Sequence, residues 1–312
     1  MSSMSKSAVI LAALTFCAVS AVAAPTASAA PVCAGAGQPT IQVGFVSGAL
    51  EGLTVDAHGR AYTTDLLSGR VYRIDAPGAE PVPIATVPSG GAGALAWTAD
   101  EKLLVGYGAD ARVVAGDFLR HAGIVQLDPD TGAMRPFAAG LSAANGMDVG
   151  ADGIVYTTND FGSHIGRVYP NGVVQADWAS VPSANGAVLG RNDEYLYVGR
   201  TFVDPGVSRI PTADPGAPQS LLDLGGSEAL AAPDGLTLDS RDRPVVPLNT
   251  TTRIIRIDAP GRYCILGSGN PLTSVVTYGR STEGFSAGRL FAATFTGAIY
   301  EIPGGFDPDA TP

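Results

Sequence analysis

Apolar and polar residues alternate in short runs along most of the chain. Beyond residue 40 each apolar run soon meets Gly, Pro, Asp or Asn. A period of two predicts β-strands, and the breaks predict tight turns. The run Ala144-Asn145-Gly146-Met147-Asp148-Val149 turns at Asp152-Gly153 and resumes at Ile154-Val155-Tyr156, which reads as a hairpin. The same pattern returns at Leu50-Glu51-Gly52, at Ala184-Asn185-Gly186 and at Pro233-Asp234-Gly235-Leu236. Weaker copies stand at Gly93-Ala94-Leu95 and Thr273-Ser274-Val275. The repeat starts, 51, 93, 145, 185, 234 and 273, lie 39 to 52 residues apart.

A repeat of that length with about four short strands is the signature of a propeller blade. The expected fold is all-β: one six-bladed β-propeller over 41–303, with four antiparallel strands per blade. Third strands are expected at Arg70 to Asp75, Gly123 to Asp128, Gly166 to Tyr169, Ser208 to Ile210, Arg253 to Asp258 and Gly297 to Ile302. The second repeat carries an insertion around Gly108 to His121, expected to form a loop on one face. Residues 30–40 and 304–312 are rich in Gly, Ala, Pro or Asp and are expected to be loose.

Residues 1–29 differ in kind. Lys6 precedes an apolar stretch, Ala8 to Val19, and Ala27-Ser28-Ala29 or Ala21-Val22-Ala23 supplies a cleavage site. This is the pattern of a secretory signal peptide, so the protein is expected to be secreted. Cys17 would leave with the signal. The remaining pair, Cys33 and Cys264, then reads as a disulfide in an oxidising compartment, stapling the closure of the ring.

The formal net charge is −10, and loss of Lys6 makes the chain more acidic. An acidic surface excludes nucleic acid and disfavours anionic membranes as partners. A monomer acting on a small molecule is expected.

In a propeller the inner strands line the axis, so equivalent positions of different blades converge. Glu51, Asn145, Asn185 and Asp234 would meet near one mouth. The residue after each start is Gly, Ala or Ser in all six repeats, which leaves room for close backbone approach. Two carboxylates and two amide oxygens suit a hard divalent cation, Ca²⁺ first, with Mg²⁺, Mn²⁺ or Zn²⁺ as alternatives. The chain has three histidines and neither CxxC nor HExxH, so a thiolate- or imidazole-rich site is excluded. The absence of G-x-S-x-G argues against a serine hydrolase.

These motifs resemble the senescence-marker-protein/gluconolactonase family, also called regucalcin-like proteins, over about residues 45–302. The resemblance implies a six-bladed propeller that hydrolyses lactones or related esters. It also implies that Glu51, Asn145, Asn185 and Asp234 hold one divalent metal and that Asp234 doubles as the catalytic base. Ser142-Ala143-Ala144 departs from the family, whose sugar lactonases often carry an arginine or aromatic residue before the first asparagine. The stretch Tyr156 to Phe161 is similar to paraoxonase-type arylesterases. It adds Asn159 and Phe161 as substrate-contact candidates, and His164 is a further candidate at the mouth. Two alternatives remain: a non-catalytic propeller that binds a ligand or partner, and a propeller lyase or condensing enzyme.

Overall fold

The computed structural model describes residues 30–312; the signal-peptide reading of residues 1–29 lies outside them. Six four-stranded antiparallel sheets follow one another around an axis. Their innermost strands are Leu50–Val55, Leu95–Trp97, Met147–Val149, Ala184–Leu189, Thr237–Leu238 and Thr273–Tyr278. All six begin at or within a few residues of the repeat starts. The expected third strands are present, from Arg70–Ile74 to Ala298–Glu301. Turns follow the sequence as well: Gly153 adopts φ 79° in the hairpin turn that calls for a left-handed residue.

Each blade buries both faces, so the core is divided among the interfaces between neighbours. Leu53, Val55 and Ile74 of the first blade meet Phe291 and Ile299 of the last. Leu104 and Ile124 of the second meet Met147 and Val168 of the third. Six such clusters fill the six interfaces. Alternation along a strand therefore chooses between two neighbouring blades more than between core and solvent.

The ring closes through Ile41–Phe45, which pairs antiparallel with Ala298–Glu301 as the outer strand of the last blade. Residues 30–40, expected to be loose, are tied down before this. Val32 bridges Ile265 in parallel, and the Cys33 amide donates to the Ile265 carbonyl at 2.9 Å. A disulfide joins Cys33 to Cys264 across 231 residues. It fastens the N-terminal segment to the outer strand of the fifth blade, Arg262–Ser268, next to the closing blade instead of inside it. The tail is held too. Asp307 is buried, and its carboxylate accepts from the Ser240 amide at 2.6 Å and hydroxyl at 2.9 Å. Composition misleads at both ends because the ordering comes from a few hydrogen bonds and one covalent bond.

At the axis the inner strands approach to backbone contact. A Cβ added at Gly52 would lie 2.6 Å from the Gly93 oxygen, and one at Gly146 would lie 2.4 Å from the Asn185 oxygen. At Gly186 it would lie 2.6 Å from Gly235 Cα. Hydroxyl groups span the same gaps. Thr64 Oγ1 accepts from the Gly52 amide and donates to the Gly93 carbonyl, both at 2.7 Å. Thr158 links Gly146 to Asn185 in the same way. Thr201 donates to the Pro233 carbonyl at 2.6 Å, and Ser274 to the Leu50 carbonyl at 2.6 Å.

Two outcomes are expected in thermal melts. Gly186→Ala destabilises by about 1–3 kcal/mol through overpacking. Gly216→Ala, whose added Cβ has its nearest neighbour at 3.6 Å, stays within about 0.5 kcal/mol of the parent; equal melting of both variants would contradict the crowding. Replacing both cysteines by serine costs up to about 5 kcal/mol on a chain-entropy estimate, and an unchanged melting temperature would show that the bond does not support closure.

Candidate active site

Glu51 and Asn185 sit at breaks in strand register. Leu50 pairs with Asp65 while Leu53 pairs with Thr63; Ala184 pairs with Arg200 while Ala187 pairs with Val198. A bulge of this kind re-aims a side chain. Asn145 and Asp234 stand just ahead of their strands. Their amides donate to the Thr158 and Pro247 carbonyls, each at 3.2 Å. All four side chains line one cavity of about 310 Å³ at the mouth. A larger cavity of about 440 Å³ is lined by the inner strands and also touches Glu51, Asn145 and Asn185. Asp234 and the aromatic loops line only the smaller one, and the chemistry gathers there.

Two residues with carboxylate or amide side chains that the repeat starts do not reveal join them: Asp160 and Asn249. Both lie just beyond second strands, Val155–Thr157 and Pro244–Leu248. Second strands run antiparallel to inner ones and so end where the inner strands begin. Polar residues at those ends, such as Thr157-Thr158-Asn159-Asp160, were the available signal. Asn249 Nδ2 donates to Asp234 Oδ2 at 3.0 Å, and the Gly235 amide donates to Asp234 Oδ1 at 3.0 Å.

The electrostatics are unfavourable without a cation. Burial pushes Asp160 up to about 6, although the Asn145 side chain draws it back. Burial and then the charge of Asp160 push Asp234 up to about 8. Burial, Asp234 and Asp160 raise Glu51 well above its ordinary value. Glu51 Oε2 and Asn145 Oδ1 are buried with no hydrogen-bond partner. Buried acceptors are ordinarily satisfied, and crowded carboxylates disfavour their charged forms. Both features fit a cation held by oxygen ligands. Among the described residues, no three His, Cys, Asp or Glu side chains make a metal-binding group. The donor set therefore depends on the two amides as much as on the acids.

The other expected contacts divide. Phe161 lines the cavity and packs on Phe202, with ring centroids 5.0 Å apart. Asn159 and His164, the other two expected contacts, do not line it. Asn159 is fully buried and turns towards the insertion, donating to Ser142 Oγ at 2.8 Å and to the Val113 carbonyl at 3.2 Å. His164 opens the third strand His164–Val168, with Nδ1 3.9 Å from Asp117 Oδ1. The Asn159 side chain and the His164 amide, which donates to the Asp117 carboxylate, contact the insertion, which folds as a 3-10 turn, Ala111–Ala115, and a short helix, Gly116–Leu119. Ala109 and Val113 make it a wall of the mouth.

No protein-family model and no curated relative matches the chain. Solved structures share its fold at low identity. A gluconolactonase from Xanthomonas campestris is 16% identical with TM-score 0.66, over 89% of this chain and 98% of that one. A calcium-binding protein, regucalcin, from Agrobacterium tumefaciens is 18% identical with TM-score 0.62, over 85% and 93%. Virginiamycin B lyase from Staphylococcus aureus is 15% identical with TM-score 0.55, over 84% and 86%. The structural neighbours thus include gluconolactonases and a regucalcin, as the motifs implied.

The raised acids make a linkage prediction. In chelator, the folded protein keeps protons that the unfolded chain gives up above about pH 4. Stability then falls as pH rises through 6 towards 8. Asp148, pushed up to about 6 by burial, adds the same sign. A cation bound at the mouth would replace protons there only, so added Ca²⁺ should reduce the decline. Melting temperatures at pH 5, 7 and 8.5 with chelator or Ca²⁺ check this; a melting temperature that rises with pH in chelator would contradict it.

Proposed function

We propose that the chain is a secreted, metal-dependent hydrolase of lactones or related esters. The observation that carries this is that one cavity gathers three buried carboxylates, Glu51, Asp160 and Asp234, with two oxygens, Glu51 Oε2 and Asn145 Oδ1, left without hydrogen-bond partners. Glu51, Asn145, Asn185 and Asp234 would hold a divalent cation, Ca²⁺ first, with Asp160 adding negative charge beside them. When bound, such a cation polarises an ester carbonyl and offsets charge on its oxygen.

The chain itself supplies proton handling and orientation. Asp234 takes a proton from the attacking water as the water oxygen bonds to the carbonyl carbon, and returns it to the ring oxygen as the C–O bond breaks. Asn249 and the Gly235 amide fix its carboxylate for both tasks. The insertion and the Phe161–Phe202 pair keep bulk water from the walls. The disulfide supports an oxidising compartment and hence secretion.

Asp234→Asn is expected to lower kcat by about 10²–10⁴-fold. Asn185→Ala should raise the metal concentration needed for half-activity, and exhaustive chelation should abolish turnover reversibly. Full activity after chelation would overturn metal dependence. Product mass separates the alternatives: hydrolysis adds one water, a lyase adds none, and a binding module gives no product.

A further inference from the structure

We propose that the cavity takes esters or lactones whose non-reacting part is apolar, an alkyl or aryl group, in place of polyhydroxylated sugar lactones, and that Phe161 and Phe202 set this preference. The inference rests on the hydrolase reading for the bond that is cut. The rest of the molecule is read from the walls alone.

The carboxylates Glu51, Asp160 and Asp234 lie at the floor. Above it stand Leu66, Val113, Phe161, Phe202 and Phe295, and none of the lining residues is Lys, Arg or His. The few polar wall groups are already engaged within the protein. Thr201 donates to the Pro233 carbonyl at 2.6 Å and Thr250 donates to the Leu230 carbonyl. Asn249 donates to Asp234 at 3.0 Å. A sugar brings a ring of hydroxyls, each of which must exchange water for a protein partner or bear the loss. These walls offer few partners. An alkyl or aryl group loses no hydrogen bond on entry and gains burial.

The aromatic pair is held in place for such a group. Phe161 and Phe202 are 50% and 56% exposed although their rings touch. Ser183 clasps the two loops that carry them. Its hydroxyl donates to the Asp160 carbonyl at 2.8 Å and accepts from the Phe202 amide at 2.8 Å. The Phe161 amide donates to Asn159 Oδ1 at 3.1 Å. Both rings thus rest on fixed backbone, the arrangement expected of a preorganised contact surface. Leu67 and Val114, next in sequence to two wall residues, stand exposed and extend the apolar surface outward. At about 310 Å³, the cavity lies near the small end of ligand pockets, about 300–1,000 Å³.

The test uses the full processed protein with Ca²⁺. Calorimetry with γ-decalactone, γ-butyrolactone and glucono-δ-lactone reads binding, and pH-stat titration reads hydrolysis. γ-Decalactone is expected to bind about ten-fold or more tighter than either other lactone. In the Phe161→Ser/Phe202→Ser variant its advantage over γ-butyrolactone should collapse. Phe202→Leu, which keeps apolar surface and guards against misfolding, should retain it; loss as complete as in the serine variant would overturn the role of the pair. Glucono-δ-lactone bound or hydrolysed as well as γ-decalactone would overturn the apolar preference and leave the hydrolase reading standing. γ-Decalactone bound but not hydrolysed would do the reverse. Binding of none of the three would overturn the inference.

Discussion

Backbone contact between neighbouring inner strands is the constraint on which the rest of the structure depends. Six strand starts must fit around one axis, and the added-Cβ distances at Gly52, Gly146 and Gly186 leave no room for a side chain there. Hydroxyls of Thr64, Thr158, Thr201 and Ser274 then bridge the gaps between blades. Each hydroxyl satisfies a backbone carbonyl that the narrow axis would otherwise leave short of a donor. Small residues and short hydroxyl side chains are therefore two halves of one solution to crowding.

The same crowding generates the chemistry. Whatever side chain precedes the small residue is carried to the mouth with its counterparts. Here that brings Glu51 and Asp234 together, and the antiparallel second strand of the third blade adds Asp160. Arginines do not relieve them. Arg60 pairs with Asp56, Arg243 with Asp239 and Arg289 with Glu301, all away from the cavity lining. Buried like charges without cationic partners are costly. In this fold they invite protons or an external cation, and the unpartnered oxygens favour the latter.

The blade repeat was legible because it rests on local rules: period-two alternation, turn residues and one small residue per start. The pairing of Cys33 with Cys264 was legible from cysteine number and compartment, though not the strand each would join. What escaped depends on three-dimensional register. The repeat placed Glu51 and Asn185 near the mouth, but no sequence pattern marks the register breaks at which they sit. Asp160 and Asn249 arrive on second strands, one hairpin turn away from the starts that drew attention. Asn159 and His164 lie close in sequence to Asp160 yet turn to the insertion, because Asp117 and Ser142 offer them or their backbone partners. Adjacency along a strand says little about which side of a blade a residue serves.

The division between paired positions bears on how reaction and fold relate in this molecule. The second position of each start is fixed by packing and reads Gly, Ala, Gly, Gly, Gly and Ser. The first reads Glu, Gly, Asn, Asn, Asp and Thr and, apart from Gly93, where an added Cβ would lie 2.3 Å from the Ala144 oxygen, already carries a side chain. Chemistry at the mouth can change at the first position, and the walls can change in the loops, without disturbing axis or core. Fold likeness at low identity consequently constrains the second position and leaves the reaction to be read from the first. In this chain the first position supplies two carboxylates, Glu51 and Asp234, to the cavity that would hold the proposed cation, and Phe161, Phe202 and Phe295 line the same cavity. Low polarity around buried carboxylates strengthens the electrostatic interactions made there. On the proposed function, the apolar loops would thus contribute to the reaction as well as to the choice of substrate.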